Sequence, residues 1–338
     1  MRSKLLLVIA VIVMLAVTGC SFPKEHASTP KAVKPFKLVK PKSIDLAKIK
    51  PNELGKVLIL EYHDIGDKEE RWTRTADNFR RDLERLYKSG YRPISLRDYV
   101  NNNINVPAGK YPVVFTFDDA TLGQFNYIYA NGEWKVNTNC AVAIIEDFHR
   151  KHPDWPAEAT FYIYYPLPFR QKDLIEKKLR HITSLGMDIG NHTFTHTRLD
   201  LESDAGAVKE MALSVKAASQ YAPDAIVDSI ALPYGKGPKN RAIIISGEYE
   251  GVKYNNIAAL LVGAEPAPSP ISTQFDPYKL PRVQAIQSEL EMWLGYFNRH
   301  PDMRYVSDGD PDTITVPSSV SQDIDKAKIK TGKTLRIY

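Results

Sequence analysis

The chain is poor in cysteine and has no long apolar run at its N-terminus. Two cysteines occur among 338 residues, at positions 20 and 140. The apolar run from Leu5 to Val17 is thirteen residues long, which is too short to span a bilayer comfortably. No internal repeat is visible, so nothing in the sequence indicates a repeat architecture. With 43% hydrophobic and 25% charged residues, the chain can bury one substantial core.

The N-terminus has the pattern of an export signal. Two basic residues precede the apolar run, which ends in Val17-Thr18-Gly19-Cys20. This ending resembles the lipobox of bacterial lipoproteins, which implies a signal peptide over residues 1–19, lipidation of Cys20 and anchoring to the extracytoplasmic face of a bacterial membrane. An ordinary secretory signal that happens to contain a cysteine is the alternative. If Cys20 carries lipid, Cys140 has no partner and no intramolecular disulfide framework is predicted.

The next segment has the composition of a tether. Residues 21–50 hold eight lysines against two acidic residues, and four prolines interrupt any periodicity. We expect a Lys/Pro-rich, semi-extended linker over residues 20–55, lying along anionic lipid or wall polymer or serving as a solvated spacer. The whole chain has a formal net charge of +5, but residues 51–338 carry about −3. Because the folded part is mildly acidic, nucleic acid is not a predicted partner.

Strand-like and helix-like patterns alternate from about residue 56 onward. Apolar β-rich runs lie at 57–60, 113–117, 159–163, 229–232 and 257–262, and helical patterns at 76–89, 140–150, 172–184 and 203–220. This alternation predicts a parallel α/β fold, and polar residues follow several strands at the ends where βα barrels carry active sites. We expect one domain over residues 56–307. The polar, aperiodic stretch 308–338 is expected to be a C-terminal tail.

Two adjacent carboxylates end one of the predicted strands. Asp118 and Asp119 follow the run Val113 to Phe117, in which four of five residues are apolar. A buried charge costs several kcal/mol unless it is paired or bound to a metal. Neighbouring residues that leave a strand point in different directions. One aspartate could therefore hold a metal while the other accepts a proton.

His192 and His196 form a second pair of potential ligands. Four residues apart, they can reach one metal from a helical turn or a tight loop, although surface histidines often show this spacing. Asp119 could be the third ligand, and two imidazoles with one carboxylate leave coordination positions open, as in a catalytic zinc site. Zn²⁺ is the expected metal, with cobalt and nickel as alternatives that fit the same geometry.

Three motifs together resemble those of the polysaccharide deacetylases, carbohydrate esterase family 4. They are Thr116-Phe117-Asp118-Asp119, His192-Thr193-Phe194-Thr195-His196 and Leu232-Pro233-Tyr234-Gly235. The resemblance extends from Val57 to about Val283. It implies an α/β fold of the distorted (β/α)7 barrel type with a metal site at the C-terminal face. It also implies hydrolysis of acetyl groups from a polysaccharide.

The resemblance also implies roles for single residues. Asp118 would be the general base, and Asp119, His192 and His196 would hold the metal. The backbone N–H of Tyr234 would belong to the oxyanion hole. In that arrangement a metal-activated water attacks the acetyl carbonyl while Asp118 removes its proton.

The general acid departs from the usual family pattern. The late Leu-x-His motif that commonly supplies it is absent. The candidate substitute is His63, because Leu60-Glu61-Tyr62-His63-Asp64-Ile65 resembles a segment of the poly-N-acetylglucosamine deacetylases of biofilms. A histidine that only packs against a neighbouring loop is the alternative. Asp64 is a candidate to orient His63, or else a plain loop residue.

Two further positions depart from the family pattern. Ala231 stands where many relatives have an arginine that pairs with the catalytic aspartate, and Arg282 is the candidate replacement. A surface arginine after a turn is the alternative reading of Arg282. Ala120 stands where glycine usually follows the paired aspartates, which matters only if the backbone there needs a positive φ.

The expected substrate is an extracytoplasmic polysaccharide with N-acetyl groups on GlcNAc-type units, such as peptidoglycan, poly-N-acetylglucosamine or a chitin-like polymer. The alternatives are a catalytically impaired glycan-binding lipoprotein of the same fold and a metal-dependent amidohydrolase of a small amide. The sequence leaves the glycan, N- versus O-acetyl and the oligomeric state open. The long segment 123–156 carries Tyr127, Tyr129 and Trp134, which are candidates for a glycan platform.

Overall fold

The computed structural model describes residues 44–338. The predicted signal peptide, the lipidation site Cys20 and most of the predicted tether lie outside these residues. The helices are α1 (Leu46–Ile49), α2 (Ala76–Lys88), α3 (Leu96–Val100), α4 (Ala141–Lys151), α5 (Ile175–Ser184), α6 (Asp204–Tyr221), α7 (Ala242–Ile245) and α8 (Gln287–Arg299). The strands are β1 (Leu58–Tyr62), β2 (Asp64–Gly66), β3 (Thr73–Thr75), β4 (Tyr91–Pro93), β5 (Tyr111–Phe117), β6 (Tyr127–Ala130), β7 (Glu133–Val136), β8 (Thr160–Ile163), β9 (Asp188–Asn191), β10 (Ser229–Ala231), β11 (Ser246–Tyr249), β12 (Val252–Asn255), β13 (Ala258–Leu260), β14 (Val283–Gln284), β15 (Thr313–Val316) and β16 (Thr334–Ile337).

The main sheet is parallel and curled. Its strands run in the order β13-β10-β9-β8-β5-β1-β14, with β4 paired to β5. Each of these pairings is parallel, as connections through helices require. The (β/α)7-type barrel expected from the sequence is thereby confirmed. Among the described residues, no helix is both long and apolar enough to cross a bilayer.

A short segment nearly closes the curled sheet. Leu280 bridges Leu260 of β13, while Val283 of β14 pairs with Leu60 of β1. Residues 280–284 therefore touch both ends of the strand order. Arg282 lies between these two contacts, which brings its side chain into the barrel.

Side-chain alternation along the strands decides which residues face the barrel interior. Leu60 of β1 and Phe115 of β5 pack outward among helical residues such as Leu83. Ile59 and Val114, one residue away, pack on the opposite face. Successive strand residues alternate between the two faces. The positions two residues further along each strand, 61 and 116, therefore face the interior.

The outer helices follow the amphipathic pattern seen in the sequence. In α2, Phe79, Leu83 and Leu86 are buried at helical spacing. The side chain of Thr75 caps its N-terminus by accepting the N–H of Asn78. Gly90 follows the helix with φ 92°, a conformation that favours glycine. The predicted helix over 76–89 is present with its ends shifted by at most one residue.

Residues on both sides of the predicted domain are packed against it. The stretch 308–338, treated above as a tail, forms a parallel ladder between β15 and β16, and Val316 is fully buried. Asn52, within the predicted tether, bridges Val306. The sequence gives little sign of this packing, because the partners are far apart along the chain. Helix α8 was likewise not predicted, although Leu290, Leu294 and Phe297 are buried at helical spacing.

Candidate active site

The end of β5 sends two carboxylates in different directions. Asp118 is 1% exposed, and its N–H donates to the carbonyl of Tyr62 at 2.9 Å. The next two residues, Asp119 with φ 77° and Ala120 with φ 45°, lie in the left-handed region. The backbone therefore turns sharply after Asp118. Ala120 is fully buried and adopts a conformation that glycine would adopt at lower cost.

Three potential ligand atoms converge at the carboxyl ends of the strands. Asp119 Oδ1 lies 3.3 Å from His192 Nε2 and 3.2 Å from His196 Nε2. Within residues 44–338, this buried oxygen nevertheless has no hydrogen bond. His192 Nδ1 lies 2.8 Å from the carbonyl of Ala231, so Nδ1 carries the proton and the Nε2 lone pair is available. The donor set and the unbonded oxygen fit a divalent metal.

The loop that carries the two histidines is fixed by its neighbours. Asn191 Oδ1 accepts the N–H of Thr193 at 2.8 Å. Glu210 on α6 accepts the N–H groups of the next two residues at 3.0 and 2.8 Å. His196 itself has φ 61°. These bonds hold the loop in the turn that directs both imidazoles towards Asp119.

Arg282 is fully buried and uses all five of its N–H donors. Its two terminal nitrogens each donate to one oxygen of Asp118, at 2.8 and 2.7 Å. They also donate to Thr116 Oγ1 at 3.1 Å and to Glu61 Oε1 at 3.0 Å, while Nε donates to Leu261 O at 2.7 Å. A bidentate pair of this kind fixes the plane of the carboxylate. Asp118 thus has the arginine partner that the sequence suggested.

These contacts set the protonation of the buried carboxylates. Burial raises the pKa of Asp118, but the charge of Arg282 outweighs it and holds that pKa well below its usual range. For Glu61, burial raises the pKa above its usual value despite Arg282, and nearby Asp118 adds to the rise. Asp118 is therefore ionised near neutral pH, as its predicted role of general base requires.

His63 follows β1 and faces the same site. Its ring centre is 4.4 Å from that of Trp72, and its Nε2 is 4.0 Å from Glu61 Oε1. Its Nδ1 is buried and forms no hydrogen bond within the described part of the chain. Asp64, the candidate to orient His63, instead accepts the hydroxyl of Thr121 at 2.5 Å. Glu61 is the carboxylate beside His63.

Glu61, His63 and Asp118 form a second group whose potential ligand atoms lie within 4.8 Å of one another. This group does not need a metal, because Arg282 already supplies a cation to both carboxylates. The two clusters are therefore chemically distinct. One fits a metal ion, and the other is organised around a guanidinium.

A cavity of about 390 Å³ joins the two clusters. Tyr234, which follows β10 with φ 57°, has its ring centre 5.0 Å from that of His196. The cavity is lined by His63, Trp72, Asp118, Asp119, His192, His196, Tyr234 and Val262. Every metal and catalytic residue named from the sequence thus lies at this cavity, apart from Arg282, which contacts it through Asp118. Their roles stay predictions.

The aromatic residues of the long segment lie elsewhere. Tyr129 and Trp134 are exposed on the hairpin of β6 and β7, with ring centres 5.3 Å apart. Tyr127 is 5% exposed and belongs to the core. None of the three is among the residues that line the cavity.

Three residues of the site were missed by the sequence reasoning. Glu61 binds Arg282 and accepts the N–H of Gly263, which is 202 positions away in the chain. Gln124 donates from its side-chain amide to the carbonyls of residues 63 and 118, which ties the ends of β1 and β5 together. Glu210 supports the histidine loop from α6. Each of the three has at least one partner in another segment of the chain, so no local spacing indicates its role.

Comparison with known proteins gives one sequence match and several structural ones. Residues 105–250 match the model of the family described as polysaccharide deacetylase. No curated protein matches the chain. The Streptococcus pyogenes deacetylase PplD, in complex with acetate, has a TM-score of 0.53 at 21% identity, over 71% of this chain and 97% of that chain. IcaB from Ammonifex degensii has a TM-score of 0.49 at 16% identity, over 72% of this chain and 97% of that chain. At these identities the likeness to PplD supports the fold alone.

Proposed function

We propose that this chain is a metal-dependent hydrolase of N-acetyl groups, because residues 105–250 match the model of the polysaccharide deacetylase family. The substrate is a polysaccharide outside the cytoplasm that carries GlcNAc-type units. One observation carries the proposal: a buried aspartate, paired with Arg282, lies next to a three-ligand cluster in a single cavity. A protein that only binds glycan has no need for a base beside a metal.

The metal site would be formed by Asp119, His192 and His196, most simply with Zn²⁺. When bound, such a metal lowers the pKa of water and polarises an acetyl carbonyl. Asp118 accepts the proton of the attacking water at its carboxylate, which Arg282 keeps ionised and oriented. The two different roles, metal ligand for Asp119 and proton acceptor for Asp118, explain why these adjacent aspartates have different surroundings.

The remaining steps fall to residues on the other strands. The backbone N–H of Tyr234 donates a hydrogen bond to the oxygen that becomes negative as water adds to the carbonyl. His63 donates a proton to the leaving amine nitrogen, because an unprotonated amine is a poor leaving group. Glu61, 4.0 Å from His63 Nε2, helps to position this imidazole. Glu61 and Arg282 thus couple the base side of the cavity to the acid side.

The proposed setting is the extracytoplasmic face of a bacterial membrane. The support comes from the lipobox-like ending at Cys20 and from the Lys/Pro-rich segment that follows it. Lipid on Cys20 would anchor the enzyme, and the basic tether would lie along anionic lipid or wall polymer. Anchoring of this kind favours a large substrate outside the cell over a small amide.

Acetate release from a panel of polymers tests the proposed function. The panel contains peptidoglycan, poly-N-acetylglucosamine, chitin oligomers and acetylated xylan, and the protein is loaded with Zn²⁺, Co²⁺ or Ni²⁺. We expect release from an N-acetylated glycan, loss of release on chelation and recovery when metal is restored. His192→Ala should abolish both metal binding and release, whereas the exposed His300→Ala, a matched control, should alter neither. Glycan binding without release at full metal occupancy would overturn the proposal.

A further inference from the structure

Arg71 lies beside Trp72, a residue that lines the cavity on the His63 side. Its Cζ lies 5.0 Å from the ring centre of Trp72, and that ring lies 4.4 Å from the ring of His63. Trp72 is 39% exposed and lines the cavity. A cation–π contact holds the guanidinium in place without neutralising its charge.

Arg170 forms a similar stack on the His196 side. Its Cζ lies 5.1 Å from the ring centre of Tyr164, whose ring centre lies 5.2 Å from that of His196. The guanidinium donates to the Tyr164 hydroxyl at 2.5 Å and to the carbonyl of Leu167 at 3.0 Å. Both acceptors are neutral, so the charge of Arg170 is positioned but not compensated.

The sheet topology puts these two stacks on opposite sides of the paired aspartates. His63 follows β1, and Tyr164 follows β8. Strand β5, which ends in Asp118 and Asp119, lies between β1 and β8 and pairs with both. The two arginines therefore flank the strand end at which the acetyl group would react.

Both guanidinium groups are exposed and lack an acidic partner. Within residues 44–338, neither Arg71 nor Arg170 takes part in a salt bridge. No carboxylate oxygen therefore lies within 4.0 Å of a guanidinium nitrogen of either residue. By contrast, Arg198 is paired with Asp200 through two bonds of 3.0 and 2.6 Å. Two uncompensated cations, each stacked on an aromatic ring that lines the cavity or contacts a lining residue, contrast with the net charge of about −3 over residues 51–338.

We propose that Arg71 and Arg170 bind negatively charged groups of the substrate on either side of the reacting sugar. This inference rests on the proposed function and narrows its substrate to an anionic glycan with N-acetylated GlcNAc-type units. The planar guanidinium binds carboxylates and phosphates through two parallel hydrogen bonds. A neutral chitin-like polymer offers only hydroxyl and amide groups, so it leaves both charges uncompensated.

Two sources can supply such anionic groups. Peptidoglycan strands carry carboxylates, and phosphodiester-linked wall glycans carry phosphates. The shared chemistry is an acidic group near an N-acetylated sugar, and separate assays with the two polymers distinguish the sources. The neutral reference is an N-acetylated chitin oligomer.

The test compares Arg71→Gln/Arg170→Gln with the wild-type protein on all three substrates. Whichever of the two anionic glycans the wild-type protein deacetylates, we expect the Gln double variant to have a KM roughly ten times higher on it, with little change in kcat. The reason is that two charge-assisted contacts are lost. Activity on the neutral oligomer should be unchanged. Arg150→Gln/Arg180→Gln, which alters two exposed arginines on α4 and α5, is the matched control and should affect no substrate. Arg71→Lys/Arg170→Lys, which keeps both charges, should restore part of the affinity.

Salt provides a second readout. Rising NaCl should lower kcat/KM on the anionic glycan for the wild-type protein, and the Gln double variant should respond less steeply. Equal effects of the Gln variant on neutral and anionic substrates, or no effect on either, would overturn the inference.

Calorimetric titration of each glycan into the protein measures binding without turnover, so the inference can be tested even if no acetate is released. If no acetate is released, the proposed function fails, whereas charge-selective binding that needs both arginines would still support the anionic subsites.

Discussion

At the scale of single residues, the central feature is a buried guanidinium shared by two carboxylates. Arg282, Asp118 and Glu61 are each 2% exposed or less, and they lie within or directly beside three different strands. Removing charges from water costs several kcal/mol per ion, and only dense hydrogen bonding offsets this. The five bonds donated by Arg282 meet that requirement. The network therefore serves both to keep Asp118 ionised and to hold the nearly closed barrel together.

Replacing this arginine should strongly destabilise the protein. We expect Arg282→Met to lower the free energy of unfolding by roughly 3–5 kcal/mol, because it strands the charge of Asp118 in the barrel. Adding Asp118→Asn to that variant should recover part of the loss, since the remaining buried group is then neutral. Urea denaturation of the metal-free protein measures both changes.

Arg180→Met is the control for this experiment. Arg180 forms an exposed pair with Glu176 on α5, and its loss should cost no more than about 0.5 kcal/mol. If Arg282→Met costs no more than Arg180→Met, the buried charge network does not stabilise the barrel.

At the scale of secondary-structure elements, β15 and β16 attach to the domain through a buried acid. Glu53 accepts the N–H of Thr315 at 2.9 Å and that of Asp308 at 3.2 Å. Burial, with a further contribution from Asp308, raises the pKa of Glu53 from its usual 4.5 to about 8. Between pH 4.5 and about 8, Glu53 is therefore protonated in the folded protein and ionised in the unfolded chain.

The attachment should weaken as the pH rises. Because the folded-state pKa is the higher one, Glu53 stabilises the fold fully below pH 4.5 and loses that contribution as the pH passes 8. The slope from this group is at most about 1.4 kcal/mol per pH unit. Glu53→Gln should flatten the dependence of the unfolding free energy on pH in this window, whereas the exposed Glu133→Gln should not. Parallel curves for wild type and Glu53→Gln would contradict this assignment.

Helices and strands could be predicted well from the sequence where the residues that determine them are close together in the chain. Helix α2 has apolar residues at helical spacing, a capping threonine and a terminal glycine, so its bounds were almost correct. The ladder of β15 and β16 depends on Glu53, more than 250 positions away, and no periodicity indicates it. The same distinction holds within the site. The paired aspartates and the His-x3-His spacing were visible, whereas Glu61 and Glu210 act through contacts that only the fold creates.

At the scale of the whole molecule, the curled sheet brings residues from distant strands to one edge. His63 follows β1, the aspartates follow β5, His192 follows β9 and Tyr234 follows β10. The carboxyl ends of parallel strands meet at one face of a barrel, which is where such folds place their active sites. One cavity can therefore combine a metal cluster, an ionised base and a candidate acid. The proposed reaction needs all three in contact with one substrate.

Single-turnover acetate release by Asp118→Asn, at the same metal occupancy as the wild-type protein, tests most directly whether Asp118 is the general base. The substrate is the glycan from which the wild-type protein releases acetate fastest, and metal content is measured in each sample. At equal metal occupancy, we expect a rate roughly 10²–10⁴ times slower, because the proton acceptor is lost. An Asp118→Asn variant that releases acetate as fast as the wild-type protein would show that Asp118 is not the general base.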